Sequence, residues 1–417
     1  MALNAPPKTL NHFWKRSNTG LSVAVLTQGG TEWIAGRIYI ANLIWALSLL
    51  PDGERIAVSQ IAPPTSSHAD LNESGAVLRA HWFAFRAADP VVDKLRGAKA
   101  GLRHGKWPQS LETAVKQARA AVAFPVLDSL GREFPIPWIG WIPDFQHKRL
   151  PHFFPEEEIS RRDRRFQEIV DHAWHVVVSS EDARRDLSQW FPTEPSRHSV
   201  FPFVSVINDK WREEDPAKVA AQFDLPEKFL IFPCQYWAHK NHDTVFEAIR
   251  ILRDRGLSDI CLVSTGRTND YRNPDHFTKL QEFLRLHGLE ARVRILGLLP
   301  RNEEVQLLRR AAAVIQPSQF EGWSALIEDA RGLGKRMYVS DIPVHREQQP
   351  PNAAFFRLGD AEQLAELVAK DWPDLAPGPD PKSEHEARAQ QHERALTFAR
   401  TFLRILERTV AAGKAGA

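Results

Sequence analysis

The stretch AVIQPSQFEGWSALIEDARGLGKRMYVS, residues 313–340, contains one complete strand–helix–strand unit. Short apolar runs suited to strands open and close it, at residues 313–316 and 337–340. Apolar residues at helical spacing occupy residues 324–333 between them. Strands that alternate with helices of about this length form parallel sheets. The stretch therefore predicts an α/β fold.

The same alternation continues along most of the chain. In the second half it predicts strands at 229–233, 260–264 and 293–296, and helices at 244–255, 274–287 and 303–311. In the first half it predicts strands at 21–27, 56–60, 120–124, 138–142 and 176–179, and helices at 40–50, 155–171 and 181–190. Residues 69–117 give no readable pattern. Two such series predict two doubly wound domains that face each other across a cleft, with ligands beyond the carboxyl ends of the strands.

The domain boundaries follow from breaks in this pattern. Residues 203–216 are polar and poor in periodicity, and residues 375–381 (LAPGPDP) read as a linker. The last predicted helix, residues 384–409, is too long to belong only to a small sheet domain. We therefore predict a first domain at 1–205, a second domain at 206–382, and a final helix at 383–417 that crosses back to the first domain.

Composition excludes several functional classes. The chain has 417 residues, with 43% apolar and 25% charged residues, as in ordinary globular proteins. A net charge of +2 argues against nucleic acid as a partner. Two cysteines are too few for a disulfide framework or a metal cluster. The N-terminus has no apolar signal core, and no apolar run reaches about 18 residues, so we expect a cytoplasmic protein without a membrane span.

Three stretches with candidate chemistry follow predicted strands. The first is CQYWAHKNH, residues 234–242, which precedes a helix. The free N–H groups at a helix N-terminus favour anions, and Lys240 can neutralise a diphosphate there. The structural alternative is a solvated loop in which Asn241 or Asp243 caps the helix.

The second stretch is TGRTNDYR, residues 265–272. Gly266 permits close approach of a backbone, and Arg267 or Arg272 can meet phosphate. A long surface loop explains the stretch equally well.

The third stretch begins PSQFEGWSALIED at residue 317. A carboxylate at a strand end, Glu321, is followed by the flexible Gly322 and by Glu328 and Asp329 in the next helix. Carboxylates accept hydrogen bonds from the vicinal hydroxyls of a sugar. Acids in a first helical turn are also ordinary capping chemistry.

Taken together, these stretches resemble the donor-binding domain of retaining glycosyltransferases of family 4 (glycosyl transferases group 1), which have the GT-B fold of two Rossmann-like domains. The motif PSQFEGWSALIEDARGLGKRMYVSDIPVHREQ, residues 317–348, is close to the form in one bacterial branch. LGLLPRNEEVQLLRRAAAVIQPS and, in the first half, IPDFQHKRLPHFF and VVVSSEDARRDL also match. The resemblance is weak over residues 22–50 and good over 138–348.

The resemblance implies roles for the donor-side residues. Lys240 would hold the donor diphosphate. Five residues earlier the family often has an arginine. Here Gln235 stands there, so the second cation is either missing or supplied by Arg267 or Arg272. The backbone N–H groups near Ser324 and Ala325 would lie by the phosphates.

It also implies roles for the acids. Glu321 is the first acid of the family's E-x7-E motif, expected at the hydroxyls of the donor sugar. Eight residues on stands Asp329, while Glu328 comes one position earlier. Glu328 has the longer side chain that the motif expects, whereas Asp329 has the motif's spacing from Glu321. Both remain candidates for the ribose-binding acid.

In the first domain, Gly36 in the loop QGGTEWIAGR, residues 28–37, resembles the family's glycine loop, whose usual glycine pair is displaced here to Gly29 and Gly30. Many members place a histidine after a middle strand, close to the reacting sugar carbon. His147 is the best candidate, and Asp144 is the alternative. A lone histidine in such a loop is more often structural than catalytic, but its position after a middle strand makes the two roles about equally plausible here.

The resulting hypothesis is a retaining hexosyltransferase. It would move a sugar from a nucleoside diphosphate sugar, its only co-substrate, to an acceptor glycan or glycolipid, without a metal or another cofactor. The alternatives are a nucleotide-sugar epimerase of the same fold and a catalytically degenerate scaffold. A dinucleotide-binding oxidoreductase is disfavoured because no G-x-G-x-x-G follows the first strand. The basic run at residues 161–165 is either a solvated helix face or a contact with the inner face of the cell membrane.

Overall fold

The computed structural model describes residues 19–27, 34–62, 81–84 and 111–415. Its strands are β1 (Ser22–Leu26), β2 (Ala57–Ala62), β3 (His81–Ala84), β4 (Val122–Val126), β5 (Trp138–Ile142), β6 (His175–Val178), β7 (His198–Val200), β8 (Leu230–Pro233), β9 (Leu262–Thr265), β10 (Val293–Ile295), β11 (Ala313–Gln316), β12 (Met337–Ser340) and β13 (Ala353–Phe356). They form two sheets, in the orders β3-β2-β1-β4-β5-β6-β7 and β10-β9-β8-β11-β12-β13. All the pairings are parallel.

Helices cover both sheets. They are α1 (Ile34–Ser48), α2 (Leu111–Gln117), α3 (Gln146–Arg149), α4 (Glu156–His172), α5 (Glu181–Trp190), α6 (Asp209–Glu213), α7 (Pro216–Gln222), α8 (His242–Asp254), α9 (His276–Leu286), α10 (Arg301–Arg310), α11 (Ala325–Gly332), α12 (Pro343–Gln348), α13 (Ala361–Asp371) and α14 (Pro381–Ala415). None of the helices in these described ranges combines the length and the apolarity that crossing a bilayer needs.

The first sheet is buried on both faces. Every residue of β4 and of β5 is buried, which explains why these strands are apolar throughout rather than alternating. The helix α4 lies very close to β5, because a methyl group added to Gly140 would come within 2.3 Å of Ile169 Cγ2. The second sheet has its own core, in which Phe229, Phe232 and Tyr338 are fully buried.

The C-terminal helix α14 crosses from the second half to the first. Phe398 and Phe402 on α14 belong to the same apolar core as Tyr39 of α1. The ring of Phe398 stacks on that of Phe201, with the ring centroids 4.4 Å apart. The predicted α/β fold with two doubly wound sheets and a returning helix is therefore confirmed.

Several elements were missing from the sequence-based prediction. The edge strands β7 and β13 have only three and four residues and are mostly half-buried, so they lack a strong apolar signal. The helix α13 was also missed. Residues 69–117, which gave no pattern, contain β3 and α2; the rest of that region lies outside the described residues.

Candidate functional site

Three loops of the second half leave the same edge of its sheet. They follow β8, β9 and β11, which are neighbours in the order β9-β8-β11. Since parallel strands end at one edge, the stretches that the sequence analysis singled out lie side by side.

Lys240 and Glu321 join two of these loops. Lys240 Nζ donates a hydrogen bond to Glu321 Oε1 at 2.5 Å. The side chains are only 15% and 11% exposed. Burial acts to lower the pKa of Lys240, but the nearby acidic groups, among them Cys234 and Glu321, outweigh it and raise the pKa above its usual value. Lys240 therefore keeps its positive charge at neutral pH.

Backbone geometry holds the lysine in place. Lys240 ends a turn of 3-10 helix, Ala238–Lys240, and Asn241 follows in the left-handed region with φ of 63°. Asparagine tolerates this conformation better than most residues. The Asn241 side chain donates from Nδ2 to the carbonyl of Pro317 at 3.1 Å, which ties this loop to the loop after β11.

The loop after β9 packs directly on the loop after β8. Gly266 has φ of +124°, and a methyl group there would lie 2.2 Å from the carbonyl oxygen of Cys234, so only glycine fits. The amide of Tyr236 donates to the carbonyl of Arg267 at 2.9 Å. Gln235 and Arg267 are both half-buried, and their backbones lie beside each other at the site.

Arg272 contacts residues of both halves. Its side chain is 4% exposed and lies 3.3 Å from Asp270. Its Nη1 donates to Gln146 Oε1 in the first half at 3.0 Å. The guanidinium also lies over the rings of Trp237 and Phe154. Arg272 therefore bridges the two halves.

The loop after β11 leads into α11 through a polar network. Gln316 Nε2 donates to Glu321 Oε1 at 3.2 Å and to the hydroxyl of Ser324 at 2.5 Å. Ser324 caps α11 by accepting from the amide of Ile327. The amide of Ser324 donates to Gln348 at 3.0 Å. Ala325 is the first residue of α11.

The network reaches Glu328 but not Asp329. Gln348 Nε2 donates both to the carbonyl of Ser324 and to Glu328 Oε1. Glu328 is fully buried and pairs with Arg394 of α14 at 2.5 Å. Asp329 instead pairs with Arg301 at 2.5 Å and accepts from the hydroxyl of Ser205. The two candidate acids therefore have separate surroundings, and Glu328 is the one connected to Glu321.

The loop after β5 faces these three loops of the second half. A methyl group at Gly322 would lie 2.1 Å from the carbonyl oxygen of Pro143 and 2.9 Å from Asp144 Cβ. Asp144 is also close enough to contribute to the raised pKa of Lys240. Its own Oδ1 accepts from the amide of Gln146 at 2.9 Å.

His147 points elsewhere. Its side chain is fully buried, and Nε2 lies 3.0 Å from Asp163 Oδ1. Burial lowers its pKa despite the hydrogen bond to Asp163, so the ring is neutral at pH 7. The structure brings Asp144 to Gly322 and Lys240, whereas it places His147 among Phe154, Phe166 and Asp163.

Two further predictions concern the glycine loop and metal binding. Gly36 is buried and is the third residue of α1, at its N-terminal turn. Gly29 and Gly30 lie outside the described residues. Within the described part of the chain, no three His, Cys, Asp or Glu side chains are grouped as metal ligands.

Sequence reasoning missed three residues of the network. Gln316 is the last residue of β11 and was assigned only to that strand. Gln348 lies in the quoted HREQ motif, which was its only signal. Arg394 is 66 positions from Glu328, so nothing local indicated their contact.

Comparison with known protein families agrees with this arrangement. Residues 213–371 match the family model for glycosyl transferases group 1. A D-inositol 3-phosphate glycosyltransferase of Corynebacterium glutamicum (strain R) is 24% identical over 196 residues, which make up 45% of this chain and 45% of that protein. The chain thus matches less than half the length of this curated relative.

Solved structures are similar over nearly the whole chain. The Anabaena protein Alr3699/HepE, in complex with UDP and glucose, has a TM-score of 0.65 at 14% identity and covers 93% of this chain and 99% of its own. Sucrose-phosphate synthase from Thermosynechococcus elongatus has a TM-score of 0.62 at 15% identity, with 94% and 100% covered. These similarities confirm the predicted GT-B fold, and the family model confirms the predicted resemblance to glycosyl transferases group 1.

Proposed function

We propose that this chain, whose residues 213–371 match the family model for glycosyl transferases group 1, moves a sugar from a nucleoside diphosphate sugar to an acceptor glycan or lipid-linked glycan. In this proposal the anomeric configuration is retained and no metal ion takes part. Residues 1–205 bind the acceptor, residues 206–382 bind the donor, and α14 joins the two. The two cysteines are free thiols, which suits a cytoplasmic location.

The Lys240–Glu321 pair is the observation that carries the proposal. It puts a fixed cation and a carboxylate at adjacent strand ends, in a nearly buried cleft. The cation suits the departing diphosphate, and the carboxylate suits the hydroxyls of the sugar. A preorganised cation beside developing negative charge, shielded from water, is a strong source of electrostatic catalysis.

The reaction then needs an acceptor on the side of Asp144. The acceptor hydroxyl oxygen forms a bond to the anomeric carbon on the face from which the diphosphate leaves, and the bond from that carbon to the phosphate oxygen breaks. The proton of the hydroxyl passes to the leaving diphosphate. In this proposal Asp144, which lies against Gly322, orients the acceptor, and the neutral His147 hydrogen-bonds to Asp163.

The names of similar proteins suggest which donors to test first. The Anabaena structure contains UDP and glucose, so UDP-sugars lead a panel that also includes GDP-, ADP- and TDP-sugars. Thermal shift should reveal one class that stabilises the protein, because a ligand that binds only the folded state raises its stability. Lys240→Ala should remove that shift.

Product analysis separates the rivals. With donor and a mixture of glycan acceptors, the proposal expects a glycosylated acceptor and free nucleoside diphosphate. An isomerised nucleotide sugar without any acceptor would instead identify an epimerase. No shift with any member of the panel would favour a scaffold and overturn the proposal.

A further inference from the structure

Helix α4 carries four arginines beside a pocket. The pocket has a volume of about 370 Å³ and is lined by Asp128, Arg161, Arg162, Arg164, Arg165 and Glu168. Its lining has four cations and two anions, so its formal charge is +2. The volume lies within the range of roughly 300–1,000 Å³ that is usual for small-molecule sites. We call it the arginine pocket.

The nearby acids leave much of this charge unsatisfied. Arg162 has a close partner, Glu158, at 2.7 Å. Arg161 lies 4.0 Å from the same carboxylate, and its side chain is 70% exposed. Arg165 lies 4.0 Å from Asp128, which is itself 76% exposed. Pairs this long and exposed are weak.

Arg165 has, in addition, a donor that is not used. Its Nε is buried and has no hydrogen-bond partner among the described residues. A buried donor without a partner is costly, so such groups in folded proteins usually meet a ligand or an ordered water. Each guanidinium offers five donors in a planar fork that fits phosphate oxygens.

The pocket adjoins the cleft rather than a remote surface. Arg162 lies over the ring of Phe154, and so does Arg272 of the donor half. Glu158, the partner of Arg162, accepts from the hydroxyl of Tyr271, also of the donor half, at 2.9 Å. Asp144 is close enough to act electrostatically on both Arg162 and Arg165.

We propose that the arginine pocket binds the phosphate group of a phosphorylated acceptor and so selects acceptors that carry one. This inference rests on the proposed function, because it assigns the acceptor class of the same cleft. A phosphate dianion suits the excess of positive charge that remains in the pocket after Glu158 pairs with Arg162. The remaining volume accommodates the sugar or polyol that presents its hydroxyl toward Asp144. The phosphate can belong to a soluble molecule or to a lipid head group.

The test measures binding of inorganic phosphate by isothermal titration calorimetry. The variants are wild type, Arg161→Gln/Arg165→Gln, Lys240→Gln and Arg357→Gln. Loss of two charge-assisted contacts should weaken phosphate binding by about tenfold or more in the double variant. Arg357, whose side chain is 78% exposed on the second half, is a matched control and should leave affinity unchanged. Thermal melting checks that each variant is folded.

Lys240→Gln separates this pocket from the donor site. Phosphate binding that survives Lys240→Gln but fails in the double variant supports the proposal. Binding that depends on Lys240 and not on the arginines overturns it, as does no binding at all. If no nucleotide sugar binds but phosphate binding depends on the arginines, the proposed function fails while the phosphate site stands.

A second arm distinguishes the source of the phosphate. Wild type and the double variant are sedimented with vesicles of phosphatidylglycerol or of phosphatidylcholine, at low and high salt. Binding of free phosphate without vesicle binding indicates a soluble acceptor. If wild type binds both free phosphate and phosphatidylglycerol vesicles, and the double variant binds neither, the phosphate is carried by a lipid. Vesicle binding without free-phosphate binding assigns the arginines to a membrane surface and overturns the pocket.

Discussion

Lys240 and Glu321 stand 81 positions apart in the sequence, yet their side chains meet at 2.5 Å beyond the ends of adjacent parallel strands. No other contact in the described part of the chain joins the first and third predicted chemical stretches through opposite charges.

Replacing either member of this pair should abolish most of the transfer. Lys240→Ala removes the cation that we propose meets the diphosphate, and the expected loss in kcat is on the order of 10²–10³, as for other preorganised electrostatic contacts. Glu321→Ala should lower kcat by a similar factor. The double variant should lower kcat by less than the product of the two single factors, because the two residues act as a unit. Initial rates of transfer give kcat, and circular dichroism checks that each variant is folded. Lys370→Ala, an exposed lysine on α13, is the control. Near-normal activity in either single variant would remove that residue from the mechanism.

Glu328 and Asp329 should separate in nucleotide binding. Only Glu328 continues the network through Gln316, Ser324 and Gln348. Glu328→Gln should therefore weaken nucleotide binding by about tenfold or more, which is the effect of losing one charge-assisted hydrogen bond. Asp329→Asn removes one of the two acids that pair with Arg301 and leaves only Glu304. This variant should lower the melting temperature without changing the affinity for the nucleotide. Calorimetric titration with the nucleotide measures the affinity of each variant. If Asp329→Asn binds the nucleotide more weakly than Glu328→Gln does, Asp329 is the ribose-binding acid.

Gly322→Ala should hold the two halves apart. Its methyl group would lie 2.1 Å from the carbonyl oxygen of Pro143, which is backbone and cannot rotate away. We expect transfer to fall by about tenfold or more, since small displacements of reacting groups are costly. Gly53→Ala, with nothing within 4 Å, is the matched control. Equal activity of the two variants would mean that this close approach is not needed in the reacting state.

Stability should fall as the solution is acidified below pH 6.5. Burial lowers the pKa of His345 to about 4. Between pH 6.5 and 4 the unfolded chain binds a proton at this position and the folded chain does not, so each pH unit lost destabilises the fold by about 1.4 kcal/mol. His345→Asn should flatten this part of the profile of unfolding free energy against pH, measured in urea. Exposed His385, replaced in the same way, is the control. Parallel profiles for wild type and His345→Asn would contradict the assignment.

The sequence predicted the strands that are buried on both faces and the loops that follow them. The unit at residues 313–340 was correct because apolar strands and a capped helix are local signals. The edge strand β7 was missed because three half-buried residues carry little pattern. The sequence could not show which way the side chains of Asp144 and His147 point. His147, in α3, turns to Asp163, whereas Asp144, just before that helix, lies against Gly322. Arg394 was missed because its contact with Glu328 forms only when α14 packs.

The path of α14 decides how this protein can be divided for study. A fragment of the second half that stops before Pro381 loses Arg394 and leaves the carboxylate of Glu328, which is buried in the intact chain, without that partner. A fragment of the first half that stops at residue 205 loses Phe398 and Phe402, and the apolar surface around Tyr39 and Phe201 would face water. Neither fragment is an independent unit. Split versions of the protein should therefore be cut elsewhere. A tag placed after α14 is attached to the first half in space although it follows the second half in sequence.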